Sequence, residues 1–283
     1  MKVLVSGLNG FTGRFVQQDL EAHGHQVIGL KARLLDKIGI EREVRQISPE
    51  AVIHLAAVAF EAHGNADDFY HVNLIGTRNL LAGLACCEAP PKCVLLASSA
   101  NVYGNTDVDV IDELIPPQPV NDYGVSKLAM EYMAKTWLEK LPVVIARPFN
   151  YTGKGQSEQF LLPKIVSHYK RKADAMELGN LDVARDFSDV RIVAQCYRQL
   201  IESPPPRGEI LNVCSGHAVT LSEVLEIMQD LTNHKIRTSV NPAFVRANEV
   251  KYLCGSRVKL EYFIGSIENI KLRDTLYWML NAD

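Results

Sequence analysis

Two residues with acid-base chemistry stand four apart in Tyr123-Gly-Val-Ser-Lys127, at the head of a stretch with helical periodicity. Four residues is just over one helical turn, so both side chains lie on one face and can converge on one small molecule. A phenol with a reference pKa of ~10 is a sluggish acid or base at neutral pH, and a neighbouring ammonium favours the phenolate and draws it toward working range. The pairing therefore offers proton transfer at one atom of a bound substrate. Taken alone, Tyr-x-x-x-Lys is met on many helix surfaces, and its weight depends on what the chain places beside it.

The beginning of the chain offers a nucleotide. Lys2 to Ser6 reads as a short apolar strand, followed at once by Gly7-Leu-Asn-Gly10-Phe-Thr-Gly13 and then by the helical pattern Phe15, Val16, Leu20. Glycines in a strand-to-helix turn permit tight backbone geometry and let a pyrophosphate approach the helix N-terminus, where free amides and the dipole favour anions. The spacing Gly-x-x-Gly-x-x-Gly is a variant of the dinucleotide-binding fingerprint. Gln26 to Leu30 reads as the second strand. An acid at its end would bind ribose hydroxyls, whereas a basic residue there accommodates a 2′-phosphate. The chain has Lys31 and Arg33, with no acid until Asp36, which favours NADP over NAD.

The remaining elements position the pair. Leu34 to Ile47 has a helical pattern, leaving little room for a further helix and strand before the buried strand Ala51 to Leu55, which ends in Ala56 and Ala57. Phe69 to Leu84, containing Asn73, is expected to be a helix, and Cys93 to Ala97 a strand that ends in Ser98-Ser99-Ala-Asn101. Ligands of open parallel sheets sit beyond the carboxyl ends of the strands, where these serines fall. Asn121 or Asp122 caps the helix of Tyr123, and Val143 to Ala146 is the next strand, running into Arg147-Pro148-Phe149-Asn150. Beyond Tyr151 the pattern loosens. A helix is expected from about Leu161 to Lys172, Arg185 to Val190 leads another helix, Ile210 to Val213 is one more buried strand, and Leu221 to Leu231 is helical. A polar loop with Arg246 and Glu249 precedes an amphipathic C-terminal helix.

Alternating strands and helices predict an α/β fold, a Rossmann-type doubly wound parallel sheet with a smaller α/β substrate-binding part. The expected division is a dinucleotide-binding domain over 1–150 and a mainly substrate-binding domain over 151–283, the chain returning to the first around 186–213. Across 283 residues, 30 Lys and Arg against 33 Asp and Glu give a net charge of -3, which points to neither nucleic acid nor an anionic membrane surface as a partner. No stretch of about 18 apolar residues is present, and a soluble, cytoplasmic protein is expected. Six cysteines match neither a disulfide scaffold nor a Cys-x-x-Cys metal site, and they read as reduced packing residues with no metal involved.

The glycine turn, Ser99, Tyr123 and Lys127, in this order and at these strand ends, resemble the extended short-chain dehydrogenase/reductase (NAD-dependent epimerase/dehydratase) family, whose members act on nucleotide sugars. The later segments Arg147-Pro-Phe-Asn150, Gly153-Lys-Gly-Gln-Ser157, Leu178-Gly-Asn-Leu-Asp-Val-Ala-Arg-Asp-Phe187, Leu211-Asn-Val-Cys-Ser-Gly216 and Val245-Arg-Ala-Asn-Glu-Val250 are most similar to the branch of GDP-mannose 4,6-dehydratase and GDP-4-keto-6-deoxy-D-mannose reductase. The resemblance implies that Tyr123 is the acid/base, that Lys127 binds the nicotinamide ribose and tunes Tyr123, and that Ser99 hydrogen-bonds the substrate oxygen. It implies that Gly7, Gly10 and Gly13 cradle the pyrophosphate, and that Phe11, Thr12, Lys31, Arg33, Leu35, Asp36, Ala56, Ala57, Asn73, Pro148 and Phe149 line the cofactor. Ser98, Asn101, Asn150, Arg185, Arg246 and Glu249 would face the sugar nucleotide, although Ala247 replaces the proline of the family's Arg-Pro-x-Glu-Val element.

Family 4,6-dehydratases carry a glutamate where this chain has Asn101, and an amide cannot accept a proton at neutral pH. The implied reaction is NADPH-dependent reduction of a nucleotide-linked 4-keto-6-deoxyhexose, GDP-linked as first choice. The alternatives are an NAD-dependent 4-epimerase and a catalytically silent NADP-sensing module. By the same resemblance a homodimer is expected, the helices beginning near Phe69 and Tyr123 pairing with their copies.

Overall fold

In a computed structural model, residues 1–59, 66–204, 206–242 and 251–281 are described. The first half runs β1 (Lys2–Ser6), α1 (Phe11–Ala22), β2 (Gln26–Gly29), α2 (Lys37–Ile47), β3 (Ala51–His54), a π-helical stretch (Phe69–Gly76) continuing as α3 (Thr77–Ala85), β4 (Cys93–Ala97), α4 (Asp122–Lys135) and β5 (Val143–Pro148). The second half runs β6 (Asn150–Thr152), α5 (Leu161–Lys170), β7 (Ala175–Leu178), β8 (Ala184–Asp189), α6 (Val190–Glu202), β9 (Ile210–Val213), β10 (Ala218–Thr220), α7 (Leu221–Thr232), β11 (Arg237–Val240), β12 (Tyr252–Leu253), α8 (Val258–Ile264) and α9 (Leu272–Leu280).

Strands β2-β1-β3-β4-β5-β9 form one six-stranded sheet, parallel throughout. Period-two alternation sends Val3, Val5, Ala51, Ile53, Leu95, Val144 and Ala146 to one face, where Val16 and Leu20 of α1 and Val193 and Tyr197 of α6 cover them. Leu4, Val52, Val94, Leu96, Val143 and Ile145 point the other way, onto Ile40 and Val44 of α2, Leu80 and Leu84 of α3 and Met130 of α4. Burial on both faces is why the central strands read as unbroken apolar runs. A single helix joins β2 to β3, as the short spacing implied. Strand order reverses between β1 and β3, and the crevice beyond their carboxyl ends is where open α/β sheets bind ligands.

A second, smaller body of structure is built on β8. Its first half lies between antiparallel β10 and parallel β12, and its second half pairs with β6. Strands β7 and β11 form a separate parallel pair, and Leu162 and Ile165 of α5, Val224 and Met228 of α7 and Leu276 of α9 share a third core. Arg185 to Val190 does lead a helix, as expected, without being helical itself. The segment is a strand, and the helix begins only at Val190, with the Asp189 carboxylate accepting from the Arg191 amide. The inward positions of β8 include Asp186 and Ser188, buried polar residues that hide its alternation. The Phe69 to Leu84 helix is modified, being π-wound over its first half. The Thr77 hydroxyl donates to the Asn73 carbonyl at 2.7 Å, a side-chain bond that competes with the helical ladder.

No helix among the described residues is long and apolar enough to cross a membrane. Four cysteines are buried, Cys87 is half-buried, and Cys86 is exposed rather than packed.

Candidate active site

The glycine turn is tight because its glycines touch backbone. Gly7 has φ +74°, and a Cβ there would stand 2.9 Å from the Ala56 nitrogen; a Cβ on Gly13 would stand 2.3 Å from the Gly7 carbonyl oxygen. The Gly10 amide donates to that same oxygen at 3.0 Å, and Gly10 caps α1 with no side chain across the helix mouth. An open helix N-terminus with backbone drawn in on three sides fits a pyrophosphate. Thr12 and Phe11 both meet Tyr151 of β6, by a 2.9 Å hydroxyl contact and by ring stacking with centroids 6.2 Å apart, so the smaller body of structure reaches the turn directly.

At the other end of the crevice Lys31 and Arg33 are exposed. Their loop is set by Glu43 of α2, whose two carboxylate oxygens accept from the Lys31 amide at 2.8 Å and the Ala32 amide at 2.6 Å. Asp36 caps α2, accepting from the Gly39 amide at 2.9 Å, and Leu35 is exposed beside it.

Beneath the turn, buried His54 joins β1, β3 and α3. The Thr77 hydroxyl hydrogen goes to Asn73, so Thr77 accepts from His54 Nε2–H at 2.9 Å; bare Nδ1 then accepts from the Ser6 hydroxyl at 2.5 Å. Ser6 Oγ in turn accepts from the Leu55 and Ala56 amides, each at 3.1 Å. Every donor and acceptor of this chain is used only while the imidazole is neutral. Burial, with nearby Lys127, pushes the His54 pKa down to about 3. The unfolded chain takes up this proton near pH 6.5 and the folded one does not, so stability present above pH 6.5 is lost as pH falls toward 3. The expected cost at pH 5 is about 2 kcal/mol relative to pH 7.5. Denaturant unfolding of the native protein and a His54→Gln variant across pH 4.5 to 8 checks it: the difference between the two should shrink on acidification, and a constant difference refutes it.

Tyr123 lies at the start of α4, which Asn121 caps by accepting from the Gly124 amide at 2.8 Å. Burial pushes its phenol up to about 12, while hydrogen bonding to Ser99 acts in the opposite direction. This corrects the expectation that Lys127 would draw the phenol down. The buried Lys127 ammonium donates to the Ala97 carbonyl at 2.7 Å, and its own pKa is lowered to about 8 by burial, with Glu131 opposing the drop. At neutral pH the arrangement is a protonated phenol touching a serine hydroxyl at a strand end, with an ammonium one turn behind.

The two adjacent serines part company. Ser99 turns toward Tyr123, whereas Ser98 is buried and donates to Glu131 at 2.5 Å. Glu131, one turn beyond Lys127 on α4, also takes both prongs of Arg147, Nε at 2.9 Å and Nη2 at 2.6 Å. Asn73 uses both amide hydrogens internally, on the Val58 carbonyl and Ser126 Oγ at 3.0 Å each, and so ties the strand-end loop to α4. Pro148 ends β5, and Phe149 is buried against Tyr103. Asn150 pairs with Phe187 in the β6–β8 register, which puts Asn150 and Arg185 on the same face, and the Asn150 amide nitrogen is buried without a partner. The Arg185 guanidinium donates to the Ala184 carbonyl at 2.9 Å and the Lys251 carbonyl at 3.2 Å. Arg246 and Glu249 lie outside the described residues. His54, Glu43, Glu131 and Tyr151 escape sequence reading because each acts through a partner distant in the chain; only the i, i+4 spacing of Lys127 and Glu131 hints at one of these links.

A glycine cradle at the switch point of a parallel sheet, with a tyrosine, lysine and serine beyond the strand ends, defines a dinucleotide-dependent enzyme. Residues 3–214 match the family model described as the NAD dependent epimerase/dehydratase family, and the chain belongs to that family. It is 32% identical to a GDP-6-deoxy-D-talose 4-dehydrogenase of Aggregatibacter actinomycetemcomitans, over 94% of this chain and 92% of that one. It is 33% identical to a GDP-6-deoxy-D-mannose reductase of Pseudomonas aeruginosa, over 99% and 96%. Among solved structures, RMD from Pseudomonas aeruginosa complexed with NADPH superposes with a TM-score of 0.89 at 31% identity, over 99% of this chain and 96% of that one. A Burkholderia cenocepacia protein described as a candidate epimerase gives a TM-score of 0.94 at 47% identity, over 99% and 97%. The protein is an NAD(P)-dependent enzyme with a Rossmann-like fold.

Proposed function

We propose that the protein reduces the 4-keto group of a nucleotide-linked 6-deoxyhexose, with NADPH as cofactor and GDP as the first choice of nucleotide. The observation that carries this reading is the protonated Tyr123 phenol held against Ser99 with an amide, Asn101, in place of a carboxylate base. The bound reduced nicotinamide supplies a hydride. Tyr123 gives its proton to the carbonyl oxygen as that oxygen gains charge, Ser99 holds the oxygen in place, and Lys127 offsets the phenolate left behind. Asn150 and Arg185 face the nucleotide-sugar side from β6 and β8. Exposed Lys31 and Arg33 at the end of β2 favour the 2′-phosphate of NADP. Two curated relatives support the substrate class, since both are named for oxidoreduction of a GDP-6-deoxyhexose. The presence of Ser99, Tyr123 and Lys127 in the chain favours catalysis over the catalytically silent alternative.

Incubation with NADPH and GDP-, dTDP- and UDP-linked 4-keto-6-deoxy sugars tests the reading. The expected result is stoichiometric loss of NADPH absorbance with a product two mass units heavier, fastest with the GDP sugar. Tightly held NAD in the purified protein, with C4 inversion and no NADPH consumption, would instead establish a 4-epimerase.

A further inference from the structure

We infer that Asn101 is a positioning residue that locks the Ser99 hydroxyl as a one-way donor toward Tyr123. A serine hydroxyl has one hydrogen to give and two lone pairs to accept with. Both accepting positions of Ser99 Oγ are taken by a single neighbour, the Asn101 backbone amide at 3.2 Å and the Asn101 side-chain Nδ2 at 3.1 Å. The hydrogen left over is the one that reaches the Tyr123 oxygen, the remaining hydrogen-bond partner of that hydroxyl.

The geometry that holds the lock is rigid. Ser99 is extended, with φ -161° and ψ 147°, and caps the short turn Ala100–Val102, whose end residues Ala100 and Val102 are buried. The first turn of the Tyr123 helix lies directly on this turn: a Cβ on Gly124 would stand 2.7 Å from the Asn101 carbonyl oxygen. The Tyr123 ring is held from its other side by Phe69, with centroids 6.0 Å apart. Serine and phenol are therefore fixed relative to each other, and the direction of the hydrogen between them is decided by what Asn101 donates. With its one hydrogen directed outward, away from Asn101, Ser99 is prepared to donate it to whichever oxygen carries the charge, the substrate oxygen during hydride transfer and the phenolate once the proton has moved. A carboxylate at position 101 would do the reverse. It accepts only, so it would claim the serine hydrogen and leave Tyr123 to donate to Ser99.

The inference rests on the assignment of Tyr123 as the proton donor, and the test separates the two. The four proteins of a double-mutant cycle, native, Ser99→Ala, Asn101→Asp and the double variant, are compared as NADP complexes. Two readouts are taken: the 13Cζ resonance of Tyr123 without sugar, assigned by its disappearance in Tyr123→Phe, and kcat and KM with the 4-keto sugar. Tyr151 of β6 and Tyr197 of α6, which bear on Tyr123, and Lys127 on its own helix are unchanged in all four. Asn101→Asp alone should move the resonance and lower kcat roughly tenfold to a hundredfold with KM little changed. In the Ser99→Ala background the same substitution should do neither, because the link it acts through is gone. Equal effects in both backgrounds, on either readout, overturn the inference and make Asn101 a direct charge or substrate contact. A coupled resonance in a protein that turns over no 4-keto sugar leaves the lock standing and removes the proposed substrate.

Discussion

Replacing Tyr123 by phenylalanine is expected to lower turnover about 10²–10⁴-fold while cofactor affinity and melting temperature stay close to native. The substitution keeps the half-buried ring and its contact with Phe69 and removes one oxygen. That oxygen is neutral at pH 7, because burial holds the phenol pKa near 12, so no charge is lost from the folded state. The Ser99 hydrogen loses one acceptor at the open crevice, where water can take its place, and the stability change should stay within about 1 kcal/mol. Turnover falls because the oxygen of a reduced carbonyl must then take its proton from solvent. Single-turnover NADPH oxidation with the best sugar of the panel, alongside NADPH binding by fluorescence, measures both halves. Native-like turnover would remove Tyr123 from the chemistry; equal loss of binding and turnover would make it a cofactor contact.

The cofactor half of this site is open to sequence reading because its information is local. Gly7, Gly10 and Gly13 sit within one turn, Tyr123 and Lys127 within another, and β1, β3, β4 and β5 are apolar runs whose type does not depend on a distant partner. The smaller body of structure is harder to read. Strand β8 buries Asp186 and Ser188, and Asp186 accepts from the Ser215 amide and hydroxyl and from the Gly216 amide to hold the loop after β9. Its interior is satisfied by bonds between segments about thirty residues apart, which no periodicity announces. Direction is lost in the same way. Ser98 and Ser99 are chemically identical in the sequence, yet neighbours in an extended segment point to opposite sides, and only the position of Glu131 decides which serine is consumed. The sign of the Tyr123 shift is a third instance. A lysine at i+4 implies a lowered pKa, whereas the depth of the site, a property of the whole fold, raises it.

The largest stability effect is expected at Arg147→Met. Arg147 and Glu131 are 3% and 2% exposed and meet in a two-pronged pair, with the guanidinium 4.7 Å from the centre of the Tyr103 ring. Removing one member of such a pair leaves the other charged and buried, a loss of about 3–5 kcal/mol. For a chain of this length the melting temperature should fall by roughly 2 °C or more per kcal/mol, which differential scanning calorimetry resolves. Replacing both residues, as Arg147→Met with Glu131→Leu, should recover most of that loss, since an apolar pair of similar volume bears no desolvation cost. Activity should not recover with it. Glu131 opposes the fall in the Lys127 pKa, which already stands near 8, and without that carboxylate the lysine drops below 8 and is partly neutral under assay conditions. The double variant should therefore be stable yet slower, with its rate falling further as pH rises from 6.5 to 8.5, the window in which the weakened ammonium gives up its proton. A double variant that regains both stability and the native pH profile would show that Glu131 serves the core alone, and that Lys127 keeps its charge without help.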